Sequence, residues 1–152
     1  MITIMQALLQ DAAAILELQK LAFQSEAQLY DDSNIPPLTQ TIDELRSDFA
    51  CKFFLKAQIE ARIIGSVRGY ETEDTCHIER LIVHPDFQGQ GFGAALMEQI
   101  ELHFELARRF ELFTGHKSKR NIHLYKRLGY AIFKNQPISP DLSFVFMEKG
   151  NE

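Results

Sequence analysis

Hydrophobic and polar positions along this chain fall into short blocks whose period changes several times. Ile2–Leu8 is a β-rich run. From Asp11, a capping residue, the period lengthens to that of a helix reaching about Tyr30, with Ala14, Leu18, Leu21 and Ala22 along one face. Asp31–Gln40 reads as a loop held open by Pro36-Pro37. Thr41-Ile-Asp-Glu44 has the form of a capping box and predicts a second helix through about Phe49. Phe53–Ile59 and Arg62–Glu71 are β-rich, and Glu60-Ala61 between them predicts a hairpin. Thr72–Thr75 turns the chain into a further strand, Cys76–Val83. A glycine-rich turn then opens a helix to about Leu106. Phe110–Thr114 is a short apolar strand, followed by a helix near Arg120–Leu128 that Gly129 ends. Tyr130–Gln136 and Leu142–Glu148 close the chain as antiparallel strands around Pro137–Pro140.

The order β-α-α-β-β-β-α-β-α-β-β predicts an α/β protein with a mixed sheet and helices on both faces. A helix joins the strands around Cys76 and Phe110, so these two are expected to be parallel, with a right-handed crossover. No repeat, linker or low-complexity segment interrupts the pattern, and a single domain over residues 1–152 is expected.

Charge narrows the partners. The formal net charge is −5, which argues against nucleic acid, since phosphate binding needs a basic surface. Cys51 and Cys76 belong to no ligand cluster, so reduced thiols in a cytoplasmic protein are expected. His116 and His123 lack a convincing third ligand, and no metal is expected. No basic region followed by an apolar run opens the chain, and no apolar stretch approaches the ~20 residues that cross a bilayer, so no membrane partner is expected.

The chemistry concentrates between Cys76 and Leu96. There an apolar strand runs through Leu81, Ile82 and Val83 into His84-Pro-Asp-Phe-Gln88-Gly89-Gln90-Gly91-Phe92-Gly93 and then a helix. Amides at a helix start lack internal partners and carry about half a positive charge between them. Glycines keep side chains off that backbone, so an anion can reach it. Gly89-Gln90-Gly91-Phe92-Gly93-Ala94 fits a relaxed dinucleotide fingerprint, but five residues from His84 to Gln88 separate it from the strand and no acid follows at the ribose position. No Gly-Lys-Ser/Thr is present for a nucleoside triphosphate.

The same residues resemble the GNAT acetyltransferase superfamily. Its Gln/Arg-x-x-Gly-x-Gly/Ala signature is matched by Gln88, Gly91 and Gly93. A second likeness lies in Asn121-Ile-His-Leu-Tyr125-Lys-Arg-Leu-Gly-Tyr130, and together the two cover roughly Phe53 to Phe146. The resemblance implies the acyl-CoA N-acyltransferase fold, a mixed sheet of six to seven strands with about four helices. It implies acetyl-CoA as co-substrate. Leu81, Ile82 and Val83 would meet the pantetheine arm in a gap between splayed strands, Gln88 to Gly93 would hold the pyrophosphate, and Asn121 would help fix the neighbouring helix.

The implied reaction is direct attack of an amine on the thioester. Tyr125 is the implied proton donor to the leaving thiolate, and the Leu81 amide the implied oxyanion donor. His77 and Glu79 alternate on one strand and share a face, so either could take the amine's proton, Glu79 first. The histone-modifying branch of the superfamily has Glu where this chain has His77, which leaves the base open. Tyr30, Asp31 and Glu71 belong to the expected acceptor wall. A small amine-bearing metabolite is the expected acceptor; a protein N-terminus or lysine, or a non-catalytic acyl-CoA-binding module, are the alternatives. A homodimer is compatible with this reading.

Overall fold

The computed structural model describes residues 2–151. One seven-stranded sheet runs through it, built from β1 (Ile2–Gln6), β2 (Phe53–Ile59), β3 (Arg62–Thr72), β4 (Thr75–Val83), β5 (Arg109–Gly115), β6 (Ala131–Ser139) and β7 (Leu142–Gly150). Their spatial order is β1-β2-β3-β4-β5-β7-β6. The hairpin at Glu60-Ala61 forms as expected, with Glu60 at φ 56° in the turn. β4 and β5 are the parallel pair, and every other neighbouring pair is antiparallel.

The β4–β5 pairing is brief. It holds Thr75 to Arg109, Cys76 to Phe110 and His77 to Glu111, and no further. Beyond His77 the strands part, so β4 from Ile78 to Val83, about 20 Å of backbone, has no strand partner on that side. A buried edge of this kind leaves polar backbone groups to be satisfied by something else.

Helices α1 (Ala12–Ala22), α2 (Gln24–Tyr30), α3 (Pro36–Thr39), α4 (Ile42–Cys51), α5 (Phe92–His103) and α6 (Lys119–Arg127) complete the chain. The expected helix from Asp11 to Tyr30 is two helices. Phe23, at φ −87° and ψ 2°, breaks the run, though its N–H still donates to Gln19 O at 3.0 Å. The buried face also differs: Ala12, Ile15, Leu18 and Gln19 are covered, whereas Ala14 and Leu21 are exposed. Asp11 gives its side chain to the Leu8 amide (2.8 Å) and to Lys56 (3.0 Å) rather than to α1. The proline loop contains α3, because Pro at the first helical position loses no hydrogen bond and arrives with a helical φ. The capping box at Thr41 and Glu44 is present in both directions, at 2.8 and 3.2 Å. β6 runs through Pro137 to Ser139, past the expected end at Gln136; as an edge strand it tolerates a residue without an N–H.

The larger core packs α5 on the sheet through Leu96, Met97, Ile100, Ile64, Phe110 and Met147. On the side of α1 and α4 the contact is partly polar. Arg68 on β3 is 1% exposed and lies over the Phe54 ring, 4.6 Å from its centroid. Its Nη2 donates to Gln19 Oε1 at 2.6 Å and its Nη1 to Asp48 Oδ2 at 3.1 Å. Burial, with Arg80 adding, lowers its pKa to about 10. Gln19 is buried because it serves this guanidinium, which explains the shifted face of α1.

Candidate active site

The site begins with a defect in β4. Ser66 pairs with Ile82 and Arg68 with Glu79, so Arg80 and Leu81 together oppose Val67. This is a β-bulge, and Arg80 takes a left-handed φ of 53° to make it. A non-glycine residue there costs about 1–2 kcal/mol. The Arg80 guanidinium helps hold it, with Nη1 donating to Gln40 Oε1 at 3.1 Å. The bulge reverses the alternation of the strand. Cys76 and Ile78 face the α5 core, and after the bulge Leu81 and Val83 do so.

The turn after β4 is built to present backbone. Pro85–Phe87 forms one 3-10 turn, with the Asp86 amide donating to His84 Nδ1 at 3.0 Å. Gln88 donates through Nε2 to Val83 O (3.3 Å) and accepts from Arg120 Nη1 (2.7 Å), so its side chain braces the turn. Gly89 and Gly91 have φ of 77° and 85°, conformations that L side chains avoid. Gly91 is the N-cap of α5 and offers no side chain to its first amides. Gly93 has no such constraint; a Cβ there would sit 3.6–3.8 Å from Leu124, Leu81 and Val83, ordinary contact. Gln90 and Phe92 complete the turn, and Phe92 packs against the core.

A cleft of about 1010 Å³ opens between this turn, the free edge of β4, α6 and the α1–α2 junction. Leu81, Ile82, Val83, Gln88, Gly89, Gly91, Phe92, Gly93 and Asn121 line it, whereas Gln90, expected with them, does not. Its cations, Lys117, Lys119, Arg120 and Arg127, come from α6 and the residues before it. The cleft can therefore take an anion at the α5 amides and an extended chain with amide groups along β4.

The remaining predicted residues lie at different depths. Tyr125 is 7% exposed on α6, edge-on to Tyr130 at 6.1 Å. Burial, and the charge of Glu26 after it, push its phenol pKa above the usual value, so it keeps its proton. His77 and Glu79 form a cluster with Tyr70 and Lys52 away from the cleft lining. His77 stacks on Tyr70 (4.9 Å, 19°) and places Nε2 3.0 Å from Thr72 Oγ1, and Glu79 accepts from Lys52 Nζ at 2.6 Å. Glu71 pairs with Cys76, five residues before Leu81 on β4 and so about 16 Å from it along the strand. Asp31 is exposed, with a left-handed φ of 49° at the end of α2.

Tyr30 is 8% exposed and is a brace between elements. Its oxygen accepts from the Lys117 amide at 2.9 Å and lies 3.1 Å from Ser118 Oγ. Ser118 Oγ donates in turn to Glu26 Oε2. Asn121 Nδ2 lies 3.5 Å from both Glu26 Oε1 and Thr114 Oγ1. Glu26 was not singled out from the sequence. In an amphipathic helix it reads as one more solvent-side acid, and the partner that marks it stands 92 residues further along the chain. Among the described residues, no group of three or more His, Cys, Asp or Glu is placed to hold a metal ion, and no helix is long and apolar enough to cross a membrane.

A mixed sheet parted between two parallel strands, with a glycine-capped helix start at the mouth of the gap, sets an anion site beside an unpaired strand edge. The sequence pattern of the Acetyltransferase (GNAT) family matches residues 5–130, and the chain belongs to that family. The UPF0157 protein YqkA of Bacillus subtilis is 26% identical over 119 residues, 78% of this chain and 34% of its own length. An uncharacterized N-acetyltransferase of Methanocaldococcus jannaschii is 38% identical over 66 residues, 42% of this chain and 29% of its own. The chain thus spans about a third of the length of these curated relatives. The PaiA N-acetyltransferase of Thermoplasma acidophilum, solved in complex with coenzyme A, superposes with a TM-score of 0.83 at 14% identity, covering 99% of each chain.

Proposed function

We propose that this chain transfers an acetyl group from acetyl-CoA to a primary amine by direct attack, with a small amine-bearing metabolite as acceptor. One observation carries the reading: the bare amides at Gly91 stand at the mouth of the gap where β4 loses β5. Acetyl-CoA fits that arrangement. Its pyrophosphate suits the α5 amides and the cations of α6, and its pantetheine amides suit the free edge of β4. A Cβ added at Gly91 meets nothing within 4 Å, so the cradle is open to a ligand.

Bound acetyl-CoA supplies an activated carbonyl and a leaving thiolate. The chain supplies the rest. Main-chain groups at Leu81, Ile82 and Val83 orient the thioester, and the Leu81 amide is assigned to the developing oxyanion. Removal of such a donor in other enzymes costs about 2.7–4 kcal/mol. Tyr125, held protonated by its surroundings, gives a proton to the sulfur as the C–S bond breaks.

The test is calorimetric binding of acetyl-CoA followed by a thiol-release screen over small amines, lysine-bearing peptides and peptide N-termini. Binding with release on a small amine is expected. Release on peptides alone would replace the acceptor class. Binding without release on any amine would make the chain an acyl-CoA-binding module.

A further inference from the structure

We propose that Glu26 receives the acceptor, binding its ammonium and taking one proton from it, and that the acceptor is a primary monoamine on an apolar stem. The inference rests on the acetyl-transfer reading above and assigns the end of the cleft away from the phosphate site.

Glu26 is the one carboxylate among the described residues that line the cleft; the lysines and arginines there come from α6 and the residues just before it, the segment whose Ser118 donates to Glu26. Three-residue spacing sets Phe23, Glu26 and Leu29 along one side of α2 and its approach, and all three line the cleft. Phe23 and Leu29 thus stand one turn before and one turn after Glu26, with Ser25 and Gln28 beside them in the lining. A single ammonium finds its counter-charge at Glu26 and its stem finds Phe23 or Leu29. The second cation of a polyamine finds no second carboxylate in the lining and meets like charge from Lys117, Lys119, Arg120 and Arg127.

Hydrogen bonding aims the group. The Lys117 amide donates to Tyr30 Oη, so the Tyr30 hydroxyl is free to donate to Ser118 Oγ, which donates to Glu26 Oε2. This one-way relay fixes one carboxylate oxygen. The other, Oε1, has only the long 3.5 Å contact from Asn121 and keeps lone pairs for an incoming N–H. The charge of Glu26 also reaches the Tyr125 phenol, which places the proton acceptor and the proton donor in one field.

The proton account closes. Glu26 takes one N–H proton of the ammonium, and the freed lone pair forms the C–N bond to the acetyl carbon. Tyr125 passes its proton to the sulfur as the C–S bond breaks and regains one from the amide nitrogen. Glu26 releases its proton to water.

The experiment compares wild type with Glu26→Gln, Glu26→Asp and Glu79→Gln. Acetyl-CoA affinity, binding of phenethylamine to the CoA-saturated protein, and kcat/KM against pH are measured for each. Gln keeps an oxygen for Ser118, and thermal melts verify folding. For Glu26→Gln, acetyl-CoA binding within about twofold of wild type, phenethylamine binding weakened at least tenfold and kcat/KM lowered about a hundredfold are expected, with partial recovery in Glu26→Asp. Wild type is expected to prefer phenethylamine to spermidine. Unchanged phenethylamine binding and turnover in Glu26→Gln, or their loss in Glu79→Gln instead, overturns the role of Glu26 while leaving acetyl transfer standing. A preference for spermidine overturns the substrate class. A folded wild type that binds acetyl-CoA and releases no thiol on any amine overturns the acetyl-transfer reading itself.

Discussion

Gly115→Ala isolates a single steric contact that joins α2 to β5. A Cβ at residue 115 would lie 1.9 Å from Tyr30 Oη and 2.5 Å from its Cζ, far inside any real contact. The backbone of Gly115 imposes no left-handed conformation, so the whole cost falls on Tyr30. Moving the ring breaks the bond from the Lys117 amide and the bond with Ser118, at about 1 kcal/mol each. Overpacking and repacking add about 1–3 kcal/mol. A loss of about 3–5 kcal/mol is expected, or roughly 6–20 °C in Tm for a domain of this size. Urea unfolding measures it directly, and a double-mutant cycle assigns it. In a Tyr30→Ala background, Gly115→Ala should cost nothing and could add a few tenths of a kcal/mol through the unfolded chain. Additive single and double variants would refute the argument, because no coupling would then exist between residues 30 and 115. So would a loss below about 1 kcal/mol for Gly115→Ala alone.

Other expectations are simpler to test. Gly91→Glu puts a side chain and a negative charge at the amides that start α5, at a φ of 85°; acetyl-CoA affinity by calorimetry should fall more than about tenfold, and unchanged affinity would refute the phosphate turn. Tyr125→Phe should slow turnover by about a hundredfold or more while leaving acetyl-CoA affinity nearly intact, and equal turnover would remove the phenol from the chemistry. The raised pKa of Tyr125 stabilises the folded state fully below the ordinary phenol range; as pH rises through that range the unfolded chain ionises first, so stability should fall less steeply in alkaline urea titrations of Tyr125→Phe than of wild type, with Tyr130 and Tyr70 supplying the remaining slope. Burial, with Glu71 and Glu101 adding, pushes the Cys76 thiol up to about 12, so a thiol reagent should label the exposed Cys51 alone in the native protein and nothing in Cys51→Ser.

The parts of this protein that were legible in its sequence are those set by neighbours in the chain. Thr41 and Glu44 announce a helix start because their bonds span three residues. Glu60-Ala61 and Gly129 mark turns for local reasons, and Gly89 and Gly91 mark the turn before α5 because their φ values demand glycine. The break at Phe23 carries no glycine or proline and interrupts a continuous helical period, so nothing local signals it. The burial of Gln19 depends on Arg68, 49 residues away, and that of Tyr30 on Lys117 and Ser118. The bulge at Arg80 is a two-against-one pairing with Val67, which no strand pattern read alone reveals. Pro36-Pro37 reads as a loop, and the structure instead starts α3 there, because proline is equally suited to a first helical turn.

The three residue pairs between β4 and β5 divide the sheet into a four-stranded half and a three-stranded half. Across the rest of that seam no strand ladder forms, and cohesion comes from side-chain contacts such as Arg120 with Gln88 and Ser118 with Glu26. A molecule lodged along it, touching β4 on one flank and α6 on the other, acts as a removable stitch. Amide exchange in β5, β7 and β6 should therefore slow together when the seam is filled, which would make the protein's own elasticity a reporter of its occupancy.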